Sequence, residues 1–150
     1  MPDKVYDSPK GWVAQHINDY VKSNGKKGHI WRGVPTLLLT TRGRKTGNLR
    51  RTALIYGRNG ASYVVVGSVG GAAHHPNWYL NLTADSNVEV QVGSEVMPGL
   101  ARTADESERQ RLWPQMAEIW PDYANYQKKT DREIPIVIID PSSSGPTDSA

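Results

Sequence analysis

Apolar residues recur at helical spacing near the start of the chain and at strand spacing through most of the remainder. Trp12, Val13, His16, Ile17, Tyr20 and Val21 share one face of a helix predicted over Lys10 to Ser23, which Asn24-Gly25 ends. Thr36 to Thr41 and Leu49 to Tyr56 read as strands, the first well buried because of Leu37-Leu38-Leu39, with a hairpin loop over Arg42 to Asn48. Asn59-Gly60 is a type I′ hairpin signal leading to a third strand, Ser62 to Gly67. A small-residue loop (Ser68 to Ala73) and a short helix (Pro76 to Ala84) follow. Val88, Val90 and Val92 then alternate along a strand. Gly93-Ser94 turns the chain, and Glu95 to Arg102 returns with Pro98-Gly99 as a bulge or an edge. Asp105-Glu106-Ser107-Glu108 opens a helix to about Trp120, kinked at Pro114. Pro121 to Lys129 reads as a helical turn or a loop, and Ile134 to Ile139 as a last strand. Residues 1–8 are expected to be a flexible N-terminus and 142–150 a disordered tail, leaving a single domain over 9–141. Short antiparallel connections dominate this order. They predict an α+β chain, mainly β, folded as a small antiparallel barrel or strongly curled sheet with helices packed around it.

Charge adds a feature that the apolar pattern does not contain. No Asp or Glu occurs from Tyr20 to Ala84, yet that stretch carries ten Lys and Arg residues. Of the 15 acids only Asp3, Asp7 and Asp19 precede Asp85. A basic half without neutralising acids implies an anionic partner. The absence of cysteine excludes disulfides and thiolate metal sites, and no apolar run is long enough to span a membrane. A cytoplasmic location is the default. The first helix is expected to dock on the body, with peripheral membrane contact as the alternative.

Three segments carry candidate chemistry. Thr40-Thr41-Arg42-Gly43-Arg44-Lys45-Thr46-Gly47 offers hydroxyls, three cations and backbone N–H groups left open by glycine, a set suited to phosphate or carboxylate. It has neither Walker nor GxGxxG spacing. Ser68-Val69-Gly70-Gly71-Ala72 follows a strand and would let a flat ring approach the backbone. Tyr123 and Tyr126 are three apart, so on a helical turn their hydroxyls share a face, either to orient a carbonyl and supply a proton or as a packed aromatic cluster. His74-His75 is a poor metal site and reads as a polar cap on the helix beginning at Pro76; no metal is expected. Binding groups are plentiful and no nucleophile is evident, which suits chemistry carried by a bound cofactor.

The hairpin segment, then Gly70-Gly71 with Pro76-Asn77-Trp78-Tyr79-Leu80-Asn81-Leu82, then Tyr123, Tyr126, Thr130-Asp131-Arg132 and Ile134-Pro135-Ile136-Val137 resemble, in that order, the deazaflavin-dependent nitroreductase family. The resemblance implies an antiparallel split β-barrel with flanking helices and the binding of reduced coenzyme F420, whose phosphate and glutamate tail are anionic. It implies that Arg44, Lys45 and Thr46, with Arg42, hold the phosphate region and that Arg50 or Arg51 helps with phosphate or tail. Val66, Gly67, Ser68, Val69 and Gly70 would line the deazaflavin, Trp78 would pack nearby, and Tyr123 and Tyr126 would face the acceptor. Ile55 and Trp120 stand where prodrug-activating members carry tyrosines, and Val69 where they carry lysine, so the substrate pocket differs from theirs. The implied reaction is hydride transfer to a quinone, an enone or a nitroaromatic compound. An FMN-binding oxidase or reductase of the same fold is the alternative enzyme, and a nucleic-acid-binding barrel the alternative from another class. The oligomeric state is left open.

Overall fold

The computed structural model describes residues 5–8, 11–31, 33–68, 71 and 74–142. The expectations for residues 1–4, Val69, Gly70 and the tail from 143 fall outside them. The elements in chain order are β1 (Val5–Asp7), α1 (Gly11–Lys22), β2 (Ile30–Trp31), β3 (Val34–Arg42), β4 (Leu49–Ile55), β5 (Gly57–Asn59), β6 (Ser62–Val66), α2 (Asn77–Ala84), β7 (Asn87–Val92), β8 (Glu95–Thr103), α3 (Glu106–Ile119), α4 (Asp122–Lys128) and β9 (Ile136–Pro141). The strands form one sheet in the order β1-β4-β3-β7-β8-β9-β6-β5, with β2 paired to β3 off that path. Every pairing is antiparallel except β1 with β4.

Alternation along the strands sends side chains to two different cores. Leu37 and Leu39 of β3 enter the barrel interior with Val65, Val88, Val90, Val137 and Ile139. Leu38, between them, points outward and is covered by Val13, Ile17 and Tyr20 of α1. On the opposite wall Val64, Val66, Ile136 and Ile138 point outward and are covered by Leu112 and Met116 of α3 and Tyr123 of α4. Continuous apolar runs in β3, β6 and β9 thus belong to strands buried on both faces.

The N-terminal helix docks on the body, and Tyr20 shows how. Its ring is fully buried. Its hydroxyl donates toward Thr36 O at 3.0 Å and Gln91 O at 3.2 Å and accepts from Gly93 N at 2.8 Å. One side chain therefore ties α1 to β3 and to the β7–β8 turn. Tyr20→Phe keeps the ring and strands these groups. A loss of about 2 kcal/mol in unfolding free energy is expected, read from denaturant titration with an unchanged slope.

Two expectations need correction, and two open alternatives are decided. Val5–Asp7 are not loose: they pair with Leu49–Arg51 of β4, a partner strand far along the chain that local composition does not encode. Of the two readings of Pro98-Gly99, the edge holds: β8 runs unbroken and without a bulge along β7, but its pairing to β9 begins only at Gly99, so Pro98 has a paired strand on one side alone and its missing N–H costs no bond to β9. For Pro121 to Lys129 the helical alternative holds, as α4. Finally, α2 has Pro76 at its N-cap and no side-chain cap, so His74 and His75 do not cap it. The helix after Asp105 has the predicted start: Asp105 and Glu108 form a capping box, and α3 continues through Pro114 to Ile119.

Candidate active site

The β3–β4 hairpin, β1, β2 and the segment joining α3 to α4 surround a cleft of about 1020 Å³. One end is cationic. There Arg44, Lys45 and Thr46 lie at the tip of the hairpin, with Arg50 and Arg51 on its returning strand. The tip is locked by its own backbone: Gly43 N donates to Asn48 O at 2.7 Å and Gly47 N to Gly43 O at 2.8 Å. Gly47 has φ +76°, which a side chain would strain. Arg42 is turned toward this brace, with Nη1 donating to Gly47 O at 2.6 Å, and it does not line the cleft. Its side chain shapes the loop instead of facing a ligand there.

Arg44 is aimed by α2. Its backbone N and its Nη1 both donate to Asn81 Oδ1, at 3.2 and 2.8 Å, and Nη2 reaches Asn77 Oδ1 at 3.4 Å. Asn81 is buried and passes its own Nδ2 to Thr41 Oγ1 at 3.2 Å. The hairpin and the Pro76–Leu82 segment, 30 to 40 residues apart, are therefore one polar unit. Neither asparagine stands out by composition; the available signal is that both lie at i and i+4 on one helix face.

The other end is aromatic and apolar. Ile55, Trp120, Tyr123 and Tyr126 line it, joined by Trp31, which the sequence pattern did not single out, and by His16, which it placed only on the face of the first helix. Trp31 and Trp120 have ring centroids 5.5 Å apart, and His16 stacks on Trp31 at 6.4 Å. The two tyrosines differ. Tyr123 is buried, and burial, reinforced by Tyr126, pushes its hydroxyl pKa well above the ordinary tyrosine value. Tyr126 is half-buried, and its hydroxyl accepts from Trp120 Nε1 at 3.4 Å, leaving the O–H proton free to point elsewhere.

Between the two ends Val66, Ser68 and Trp78 reach the cleft. Gly67 does not line it. A Cβ there would come within 2.9 Å of Pro135 Cγ, so this glycine admits a close crossing of the β6 exit over the segment entering β9. Arg132 grips the same turn, with Nη1 donating to Gly67 O at 3.1 Å and Nη2 to Ser68 O at 2.7 Å. Nη1 also donates to His75 Nδ1 at 3.1 Å. Burial and then the Arg132 charge lower the pKa of His75, consistent with a neutral ring that accepts this bond. Among the described residues no three His, Asp or Glu side chains gather as a metal site.

The model of the F420H(2)-dependent quinone reductase family matches residues 12–141. The chain belongs to that family. An F420H(2)-dependent quinone reductase of Mycobacterium tuberculosis is 40% identical over 141 residues, covering 85% of this chain and 95% of that protein. A solved F420-H2 dependent reductase, FDR-A, is 41% identical with a TM-score of 0.66, covering 74% of this chain and 97% of the other. A solved chain described as a domain-swapped dimer is 36% identical with a TM-score of 0.67, covering 88% and 99%. The fold is the split barrel that the resemblance implied, and the protein is an F420H2-dependent oxidoreductase. No described helix is long and apolar enough to cross a membrane.

Proposed function

We propose that this family member reduces a quinone with reduced F420, binding the cofactor's anionic end at Arg44 and Lys45 and the acceptor beside Ile55, Trp120 and Tyr126. The observation that carries this reading is the polarity of one cleft: cations on a rigid hairpin at one end, and indole, phenol and aliphatic walls at the other. The residues fit the group. Arg44 is held for forked contacts to a phosphate, the Lys45 ammonium is exposed at the tip, and Ser68 and Val66 border the space between the ends, where a flat ring would lie. When bound, the deazaflavin supplies the hydride.

The protein's own contribution is position and a proton. Trp78 packs on the barrel core and, with the Ser68 turn clamped by Arg132, sets a fixed wall against which the ring can lie. Trp31 and Trp120 meet at the acceptor end, where their rings would shield a bound acceptor from water. Tyr126 holds a proton at its hydroxyl oxygen, oriented by Trp120 Nε1, for the acceptor's carbonyl oxygen as negative charge develops there. Tyr123 supports the ring of Tyr126 edge-on at 6.1 Å and serves as packing.

The test is titration of the protein with F420 and with FMN, followed by oxidation of F420H2 in the presence of a menaquinone analogue, an enone and a nitroaromatic compound. F420 binding and fastest turnover with the quinone are expected. Tight FMN binding without F420 binding would overturn the reading, and preference for the enone or nitro compound would move the acceptor class.

A further inference from the structure

The N-terminus brings an acid into the cationic half. Asp7 is the one carboxylate among the described residues lining the cleft, against Arg44, Lys45, Arg50 and Arg51. The parallel pairing of β1 with β4 places Asp7 opposite Arg51. Arg51 Nε donates to Asp7 Oδ1 at 2.6 Å and Nη2 to Oδ2 at 3.2 Å, a forked pair. Ser8 N donates to Arg51 O at 2.9 Å, so the backbone holds the same residue. One position earlier, Tyr6 lies over the Arg50 guanidinium at 5.3 Å. Tyr6 and Asp7 of β1, with Ser8 just after it, thus engage both arginines that border the cationic hairpin. A forked carboxylate on Arg51 is also the contact that a carboxylate of the cofactor's glutamate tail would make.

Resting on the F420 reading above, we propose that Asp7 is a specificity-determining residue that occupies Arg51 as an internal carboxylate ligand. The phosphate end of the cofactor keeps Arg44 and Lys45, while tail carboxylates must compete with Asp7 for Arg51. Each added glutamate then meets a cation already neutralised, so affinity depends little on tail length. The pair is partly solvated, with side-chain exposures of 23% for Arg51 and 35% for Asp7, so the competition is modest and salt-sensitive.

The experiment follows F420 fluorescence on titration with the full chain, using cofactor carrying two or six glutamates and the bare chromophore lacking phosphate and tail. In the native protein the two tailed forms are expected to differ in Kd by less than about twofold. Asp7→Asn is expected to bind the six-glutamate form about three- to fivefold more tightly, with the gain lost at high salt and no change for the bare chromophore. Asp7→Glu keeps the charge and should keep the native, flat dependence. In an Arg51→Gln background, Asp7→Asn should change nothing. Equal affinities of native protein and Asp7→Asn for both tails would overturn the proposal. So would weaker binding by Asp7→Asn with an unchanged melting temperature, because Asp7 would then be holding Arg51 in place for the cofactor. Failure of the native chain to bind any tailed form would instead sink the F420 reading, and this inference with it.

Discussion

Replacing Arg44 by alanine is expected to raise the Kd for F420 about 100-fold, close to 3 kcal/mol, at nearly unchanged melting temperature. Two losses combine. The guanidinium that would face the cofactor phosphate disappears, a charge-assisted contact at the upper end of its usual range. Asn81 also loses the stronger of its two Arg44 contacts, Nη1 at 2.8 Å, and keeps only the longer one from the backbone N. Because Asn81 is buried and bonded onward to Thr41, the slackened oxygen loosens the seam between hairpin and α2 on which the tip rests. Arg44→Lys separates the two effects. It restores charge but not the fork, and a remaining deficit of about tenfold is expected. Fluorescence titration measures both variants. A Kd within about threefold of the native value for Arg44→Ala would mean that this arginine only closes the loop.

The second large effect is expected in turnover. Tyr126→Phe should lower kcat for quinone reduction about 100-fold, the usual size for loss of a positioned proton donor, and leave the Kd for F420 within about twofold. Tyr123→Phe should lower kcat by no more than about threefold. Both tyrosines lie on one short helix, border the cleft and pack on the α3 cluster, and burial separates them: Tyr123 is buried, whereas Tyr126 is half-buried and its hydroxyl meets Trp120 Nε1. Single-turnover oxidation of bound F420H2, compared across the two variants, isolates the chemical step. Equal losses in both would make the pair a packing unit, and a rise in Kd without a fall in kcat would move Tyr126 to the cofactor end.

Much of the fold was legible because its signals are local. Alternation in Val88 to Val92, the leucine run of β3, Asn59-Gly60 and the capping residues Asp105 and Glu108 each depend on neighbours within a few positions. The short strands were missed for the same reason. Val5–Asp7 and Ile30–Trp31 have too few residues to show a period, and they exist because β4 and β3 offer partners. The site divides along the same line. The Arg44-Lys45-Thr46 tip was visible as a glycine-flanked basic hairpin. Asn77, Asn81 and Arg132 were legible only within the resembling segments, without a role, and Trp31 not at all, because each role is defined by what the residue touches across the fold.

By itself the sequence determined the mainly β architecture, the acid-free half and, within it, a hairpin able to hold an anion. These follow from period, turn chemistry and composition, which need no partner. Tertiary structure decided which of those cations face the cleft. Arg42 is turned back to brace its own turn, Arg44 is drawn out by α2, and Arg51 is met by an aspartate 44 residues away. A residue's charge is written in the chain, but its availability depends on the distance to the nearest opposite charge or hydrogen-bonding partner, and folding sets that distance.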